Sequence, residues 1–104
     1  MSGLKIKGFK VIRSLIIEKI RSNQVQHELR KDSYEKNLYA HGIVSSEEVV
    51  ALLCACRGDD YKVEPLHADK KIDVHFFKPV KGTEKWYIKV YLLEPDAWFI
   101  SVHK

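Results

Sequence analysis

The sequence predicts an α+β fold in which N-terminal helices pack on a mainly antiparallel β-sheet. Before Gly58 the apolar residues recur every three or four positions, which is the period of a helix. After Gly58 they alternate with polar residues, which is the period of a strand. The 104 residues suit one domain with a single core. We therefore expect a single domain over 1–104, helical over about 8–57 and sheet over 61–103.

Three helices are predicted, and two of them have clear signals in the sequence. The first is predicted over 8–26, and the third over 46–57. Ser45 and Glu48 form an S-x-x-E capping box at the start of the third helix. The first helix presents an apolar stripe at helical spacing, formed by Phe9, Ile12, Ile16 and Ile20.

A shorter second helix is predicted over 33–41. Asp32 and Glu35 form a possible capping box at its start, and Gly42 is a typical residue for a helix end. One side of this helix carries Tyr34, Leu38 and His41.

Four strands are predicted over 61–66, 72–78, 85–93 and 97–103. Short turns rich in Pro, Gly and Asp separate the later strands, which favours an antiparallel meander. A fifth strand at the N-terminus, within residues 1–8, is a further possibility.

Strict alternation assigns the strand residues to two faces. The face expected to pack on the helices contains Ile72, Val74, Phe76, Trp86, Ile88, Val90, Leu92, Trp98, Ile100 and Val102. The opposite face is expected to contain Lys62, Asp73, His75, Phe77, Tyr87, Lys89, Tyr91, Phe99, Ser101 and His103.

Composition and charge narrow the function classes. No apolar run approaches the roughly 18 residues of a membrane span, so we expect no membrane association. Cys54 and Cys56 are too close on a helix to pair with each other, and unpaired thiols fit a reducing compartment such as the cytoplasm. The net charge of +4 favours a polyanionic partner.

The polar face combines basic and aromatic side chains, which suits RNA. Aromatic rings stack on bases, and lysines neutralise phosphates. A histidine, a tyrosine and a lysine can also cleave RNA without a metal, by taking and giving protons and by stabilising the phosphorane. A solvated sheet face is the alternative interpretation of the same pattern. No pair of His or Cys residues has the spacing of metal ligands, so we predict neither a metal site nor a cofactor.

Several short motifs resemble a known family. They are D-x-Y-K at 59–62, D-V at 73–74 followed by Pro79, Y-x-K-x at 87–90, and a closing strand with Ile-Ser-Val at 100–102. In order and spacing they resemble the MqsR-type toxins, within the RelE-like ribonucleases of toxin–antitoxin systems. The segment NLYAHGIVSSEEV echoes the middle of that family, and the resemblance covers roughly residues 30–104.

The resemblance implies a RelE-like fold and a cytoplasmic, metal-independent endoribonuclease that cleaves mRNA and is inhibited by a cognate antitoxin. It implies catalytic roles for Lys62, Tyr87 and His103. The surrounding face then supplies substrate-binding residues, namely His75, Phe77, Lys89, Tyr91 and Ser101. Ile72 stands where the family has an active-site glutamine, so a non-catalytic RNA- or protein-binding module on the same fold remains the alternative.

Overall fold

The computed structural model describes residues 8–29 and 34–104, and it confirms an α+β architecture. Within these residues, two α-helices pack on one side of a mixed, mainly antiparallel sheet of five strands. None of the described helices is long and apolar enough to cross a membrane. The elements in chain order are α1 (Phe9–Arg21), β1 (Val25–His27), α2 (Ser46–Ala55), a 3-10 turn (Gly58–Asp60), β2 (Tyr61–Pro65), β3 (Asp73–Phe77), β4 (Val80–Lys81), β5 (Glu84–Lys85), β6 (Tyr87–Leu93) and β7 (Asp96–His103).

Helix α1 buries the stripe that its sequence predicts, since Ile12, Ile16 and Ile20 are all in the core. It ends earlier than expected, because Asn23 adopts a left-handed backbone conformation with φ of 60°. The predicted helical residues 25–26 instead lie in β1, which pairs parallel with the start of β7. This parallel strand was not anticipated, and the proposed strand at 1–8 falls almost wholly outside the described residues.

Helix α2 begins at the predicted capping box. The Glu48 amide donates to the Ser45 hydroxyl at 3.1 Å, and the Ser45 amide donates to the Glu48 carboxylate at 2.8 Å. Cys54 is exposed and Cys56 is buried, and both are free thiols. The predicted end at residue 57 is two residues too late, because Cys56 already has an extended backbone.

The predicted helix over 33–41 is wrong for most of its length. Only Tyr34 and Glu35 are helical, and residues 36–42 form turns apart from a bridge at Asn37; Asp32 and residue 33 lie outside the described ranges. The buried Asn37 explains the difference. Its main chain bridges to Val102, and its side-chain amide lies 3.0 Å from His27 Nδ1. Pairing with the edge of the sheet therefore replaces helical hydrogen bonds here.

The sheet has the order β1-β7-β6-β3-β2, and β4 and β5 form a separate two-stranded hairpin. All neighbours except β1 and β7 are antiparallel, as the short connections predicted. β1 and the Asn37 bridge both pair with the outer edge of β7. We call the side of the sheet that is turned away from the helices the open face.

A bulge in β7 changes which residues lie on the open face. Lys89 pairs with Ser101, but Val90 pairs with Phe99, so Ile100 is an extra residue between two paired positions. Alternation is therefore interrupted. Phe99 packs in the core beside the helices together with Val102, whereas Trp98 and Ile100 pack on the open face. The sequence-based assignments of Trp98, Phe99 and Ile100 are consequently reversed.

Strand β3 is also reversed relative to the prediction. Phe77 is fully buried in the core beside the helices, and His75 shares its side of the strand. Val74 and Phe76 pack instead on the open face, in an apolar cluster that includes Ile72. Because both sides of β3 are covered by apolar groups, alternation alone cannot tell which side faces the helices.

The reversal predicts a difference in stability between two neighbouring phenylalanines. Replacing the fully buried Phe77 with Ala should lower the free energy of unfolding by about 3–5 kcal/mol, because it leaves a cavity in the core. Phe76→Ala should cost distinctly less, since Phe76 is only partly buried. Urea denaturation of both variants measures the difference. Equal losses, or a larger loss for Phe76→Ala, would contradict the observed orientation of β3.

Candidate functional site

The open face has an apolar end and a basic end. The apolar end is a small second core in which Leu66, Val74, Tyr91 and Ile100 are buried and Ile72, Phe76 and Trp98 are partly buried. The basic end lies beside it and comprises Lys62, Lys78, Tyr87, Lys89 and His103. Only the basic end combines exposed cations with groups that can transfer protons.

One row of the basic end runs across four strands. Lys62 on β2 pairs with Phe76 on β3, Phe76 with Lys89 on β6, and Lys89 with Ser101 on β7. The Lys62 and Lys89 ammonium groups lie 5.1 Å and 5.2 Å from the centroid of the Phe76 ring. Two cations therefore converge on one aromatic ring, which holds both of them near the sheet surface.

A second row lies two residues further along β6. Tyr87 pairs with His103, and their rings stack with centroids 5.5 Å apart and planes 16° apart. The Lys78 ammonium lies 5.7 Å from the Tyr87 ring. This row brings together a phenol and an imidazole on adjacent strands and a cation at the residue that follows β3. It lies about 7 Å from the first row because strands rise about 3.3 Å per residue.

The imidazole of His103 is oriented by the main chain. Its Nδ1 lies 2.9 Å from the main-chain oxygen of Lys104. Because that oxygen can only accept, Nδ1 must carry the hydrogen and donate it. In a neutral imidazole Nε2 is then unprotonated, so it is the nitrogen available to accept a proton.

Four residues predicted for the site are placed together by the structure. Lys62, Tyr87, Lys89 and His103 all lie on the basic end, as alternation predicted. Lys62 is the most distant of the four from His103, because β3 and β6 lie between β2 and β7. Its ammonium also forms an exposed ion pair of 3.0 Å with Glu64.

Tyr91 and Ser101 lie on the open face but not at its surface. Tyr91 is 5% exposed, stacks on Trp98, and donates a hydrogen bond of 2.7 Å to Glu28. Ser101 is 4% exposed beside the Ile100 bulge. Both residues therefore support the surface from below, and neither presents its side chain as a platform for a base.

His75 and Phe77 lie on the helix-facing side of β3, so the prediction that they belong to the open face is wrong. His75 is 6% exposed, and its Nδ1 lies 2.8 Å from the Tyr61 hydroxyl on the side of the sheet that packs on the helices. The rings of Tyr61 and His75 are also stacked on each other. Asp73, which alternation also assigned to the open face, shares the side of β3 that carries His75.

Phe76 and Lys78 belong to the two rows of the basic end, and the sequence prediction missed both. Both belong to the stretch HFFKP, where two adjacent phenylalanines make either alternation acceptable. The signal that could have found them is Lys78 itself, since a lysine is poorly suited to the helix-facing side of a strand. Because alternate residues of a strand share a face, assigning Lys78 to the open face also assigns Phe76 and Val74 to it.

Metal ligands do not cluster in the described part of the chain. No group of three or more His, Cys, Asp or Glu side chains is close enough there to hold a metal ion. His67 lies in the loop after β2.

No protein-family model matches the chain, and no curated protein matches it. Inferences about function therefore depend on the site's own geometry and on the resemblance of its motifs.

The Tyr61–His75 pair predicts a pH-dependent stability. Burial lowers the pKa of His75 below its ordinary 6.5, against the attraction of Asp73, and burial raises the pKa of Tyr61 to about 12. Below pH 6.5 the imidazole of His75 binds a proton in the unfolded chain, whereas in the folded protein it stays neutral to a lower pH. The free energy of unfolding should therefore fall as the pH drops from 7 to 5, by at most about 1.4 kcal/mol per pH unit for one proton.

The measurement is urea denaturation at pH 5, 6 and 7, for the wild type and for His75→Asn. The variant should show a shallower dependence on pH, whatever its absolute stability. Burial also lowers the pKa of His27, so part of the slope should remain. An unchanged slope in His75→Asn would contradict this assignment.

Proposed function

We propose that the protein is a metal-independent endoribonuclease that cleaves mRNA. The observation that carries the proposal is the row of Lys78, Tyr87 and His103, in which an oriented imidazole stacks on a phenol beside a cation. These are the three kinds of group that cleavage of a ribose–phosphate chain requires. They lie at the surface, beside the two cations of the neighbouring row.

A balanced cleavage step can be assigned to these groups. His103 Nε2 takes the proton from the ribose 2′-OH, and the 2′-oxygen forms a bond to phosphorus. The bond from phosphorus to the 5′-oxygen breaks, and the phenol of Tyr87 gives its proton to that oxygen. Lys78 neutralises the charge that grows on the phosphorane. Water then returns a proton to Tyr87 and removes one from His103, leaving a 2′,3′-cyclic phosphate and a 5′-hydroxyl.

The other row is suited to holding the RNA backbone. Lys62 and Lys89 flank Phe76 and present two ammonium groups to adjacent phosphates. The exposed Lys62–Glu64 pair is weak, so a phosphate can replace the carboxylate as the partner of Lys62.

The geometry favours a binding role for Lys62 and a catalytic role for Lys78. The resemblance to MqsR-type toxins implies that Lys62 is catalytic, but β3 separates its strand from that of Tyr87. The Lys78 ammonium, in contrast, is 5.7 Å from the ring of Tyr87. We assign stabilisation of the phosphorane to Lys78 and attraction of a neighbouring phosphate to Lys62.

The same proposal includes a RelE-like fold and the setting of a toxin–antitoxin system. Two helices on a mainly antiparallel sheet are compatible with that fold. Such an enzyme acts on mRNA in the cytoplasm, and its cell needs a cognate antitoxin to inhibit it. The net charge of +4 suits an acidic antitoxin as well as RNA.

A non-catalytic RNA- or protein-binding module is the second candidate. The observation that favours it is Ile72, which stands where the family has a glutamine and packs in the apolar end of the open face. No amide is therefore offered to the phosphate from this position. This module would bind RNA at the basic end without cutting it.

Substitution of the two lysines tests the assignment of roles. Lys78→Ala should lower the turnover of RNA cleavage by about 100-fold or more, because it removes the charge that stabilises the phosphorane. Lys62→Ala should mainly weaken RNA binding, and should reduce the slope of log affinity against log salt concentration by about one. Cleavage kinetics and salt-dependent binding with one purified RNA measure both effects.

Lys10→Ala is the matched control, since Lys10 is an exposed lysine on α1, an element of the opposite side of the sheet. It should leave cleavage unchanged. Loss of turnover in Lys62→Ala equal to that in Lys78→Ala would instead assign catalysis to Lys62. Binding by the wild type without cleavage would support the non-catalytic module.

A further inference from the structure

We propose that a cleft beside the basic end of the open face selects an RNA base that carries an exocyclic amino group, and that Glu64 reads that group. The inference rests on the proposed binding of RNA to this face, and it adds the class of base that the face prefers. The cleft has a volume of about 190 Å³. Its apolar walls are formed by Pro65, Leu66, Val74, Phe76 and Ile100, and its polar lining consists of Glu64, Lys89 and the imidazole of His67.

The size of the cleft suits one ring system. Pockets for drug-sized ligands are larger, typically about 300–1,000 Å³. A single nucleobase is flat and has two apolar faces, so apolar walls match it and its polar edge meets Glu64, His67 or Lys89. The ribose and phosphate would remain outside the cleft, on the basic end.

The position of the cleft connects it to the RNA path. Lys89 lines the cleft and also belongs to the row of cations around Phe76. A phosphate held by Lys89 therefore places its nucleotide at the mouth of the cleft. The Tyr87–His103 pair begins two residues further along β6, so the selected base lies close to the bond that would be cleaved.

The charges of the lining decide which base fits. A carboxylate only accepts hydrogen bonds, and acidic side chains accept from the N4 amino group of cytosine. Uracil differs from cytosine by a carbonyl oxygen at this position, and that oxygen repels a carboxylate. Lys89 can only donate, so it suits a ring carbonyl or ring nitrogen on the same base. Cytosine offers both an amino group and such acceptors, and uracil leaves Glu64 without a partner at that position.

The ion pair between Glu64 and Lys62 couples base selection to phosphate binding. In the free protein the two groups neutralise each other at 3.0 Å, and both side chains are about half exposed. RNA offers a separate partner to each of them, a phosphate to Lys62 and an amino group to Glu64. In the same orientation, a base without an amino group presents a carbonyl oxygen to Glu64 and satisfies only the lysine, which lowers affinity.

The test uses CMP and UMP as probes, because they have no internucleotide bond to cleave and therefore report base binding alone. Binding is followed by NMR at the methyl groups of Leu66, Val74 and Ile100. CMP should shift these methyl signals, and UMP should bind about tenfold more weakly, as expected for one lost hydrogen bond to a charged group. Glu64→Gln, whose amide can donate to a carbonyl, should bring the two affinities close together.

Glu47→Gln is the control for the change of charge, since Glu47 is exposed in the first turn of α2. It should retain the preference for CMP. Equal affinities for CMP and UMP in the protein with Glu64 intact would overturn the inference, and so would shifts confined to residues outside the cleft. A preference for CMP in a protein whose wild type fails to cleave RNA would support the cleft while refuting the ribonuclease.

Discussion

The single extra residue Ile100 in the last strand determines which side chains this sheet presents. Before the bulge, Phe99 points into the core beside the helices; after it, Ser101 and His103 point to the open face. Unbroken alternation would place Phe99 on the same face as His103 and leave the core without one of its largest fully buried side chains. Bulges re-aim side chains in this way, and here the result is a dense core together with an outward imidazole.

The two ends of the open face serve different purposes. At its apolar end, Leu66, Ile72 and Trp98 pack into a second small core, which supports the strands from the side opposite the helices. The basic end remains accessible and lies on β2, β3, β6 and β7. Tyr87 and His103 are thereby held on paired strands, and Lys78 directly follows the end of β3, so the sheet positions all three groups.

The sequence predicts the parts of this structure that depend on local patterns. The stripe of α1, the capping box of α2 and the alternation of β6 all depend on neighbouring residues, and all are confirmed. The bulge at Ile100 and the parallel strand Val25–His27 depend on pairing across the fold, which no local pattern reports. Lys62, Tyr87, Lys89 and His103 were predicted correctly as one face, whereas His75 and Phe77 lie on a strand whose two sides are both apolar.

The most direct test of the proposed ribonuclease is the chemistry of its products. Purified wild type and His103→Ala would be incubated with one mRNA in the presence of EDTA, and the fragments analysed by mass spectrometry. The proposed mechanism predicts fragments with 2′,3′-cyclic phosphate and 5′-hydroxyl ends from the wild type, and intact RNA with His103→Ala. Intact RNA with both proteins, or equal cleavage by both, would contradict the assignment of His103 as the base.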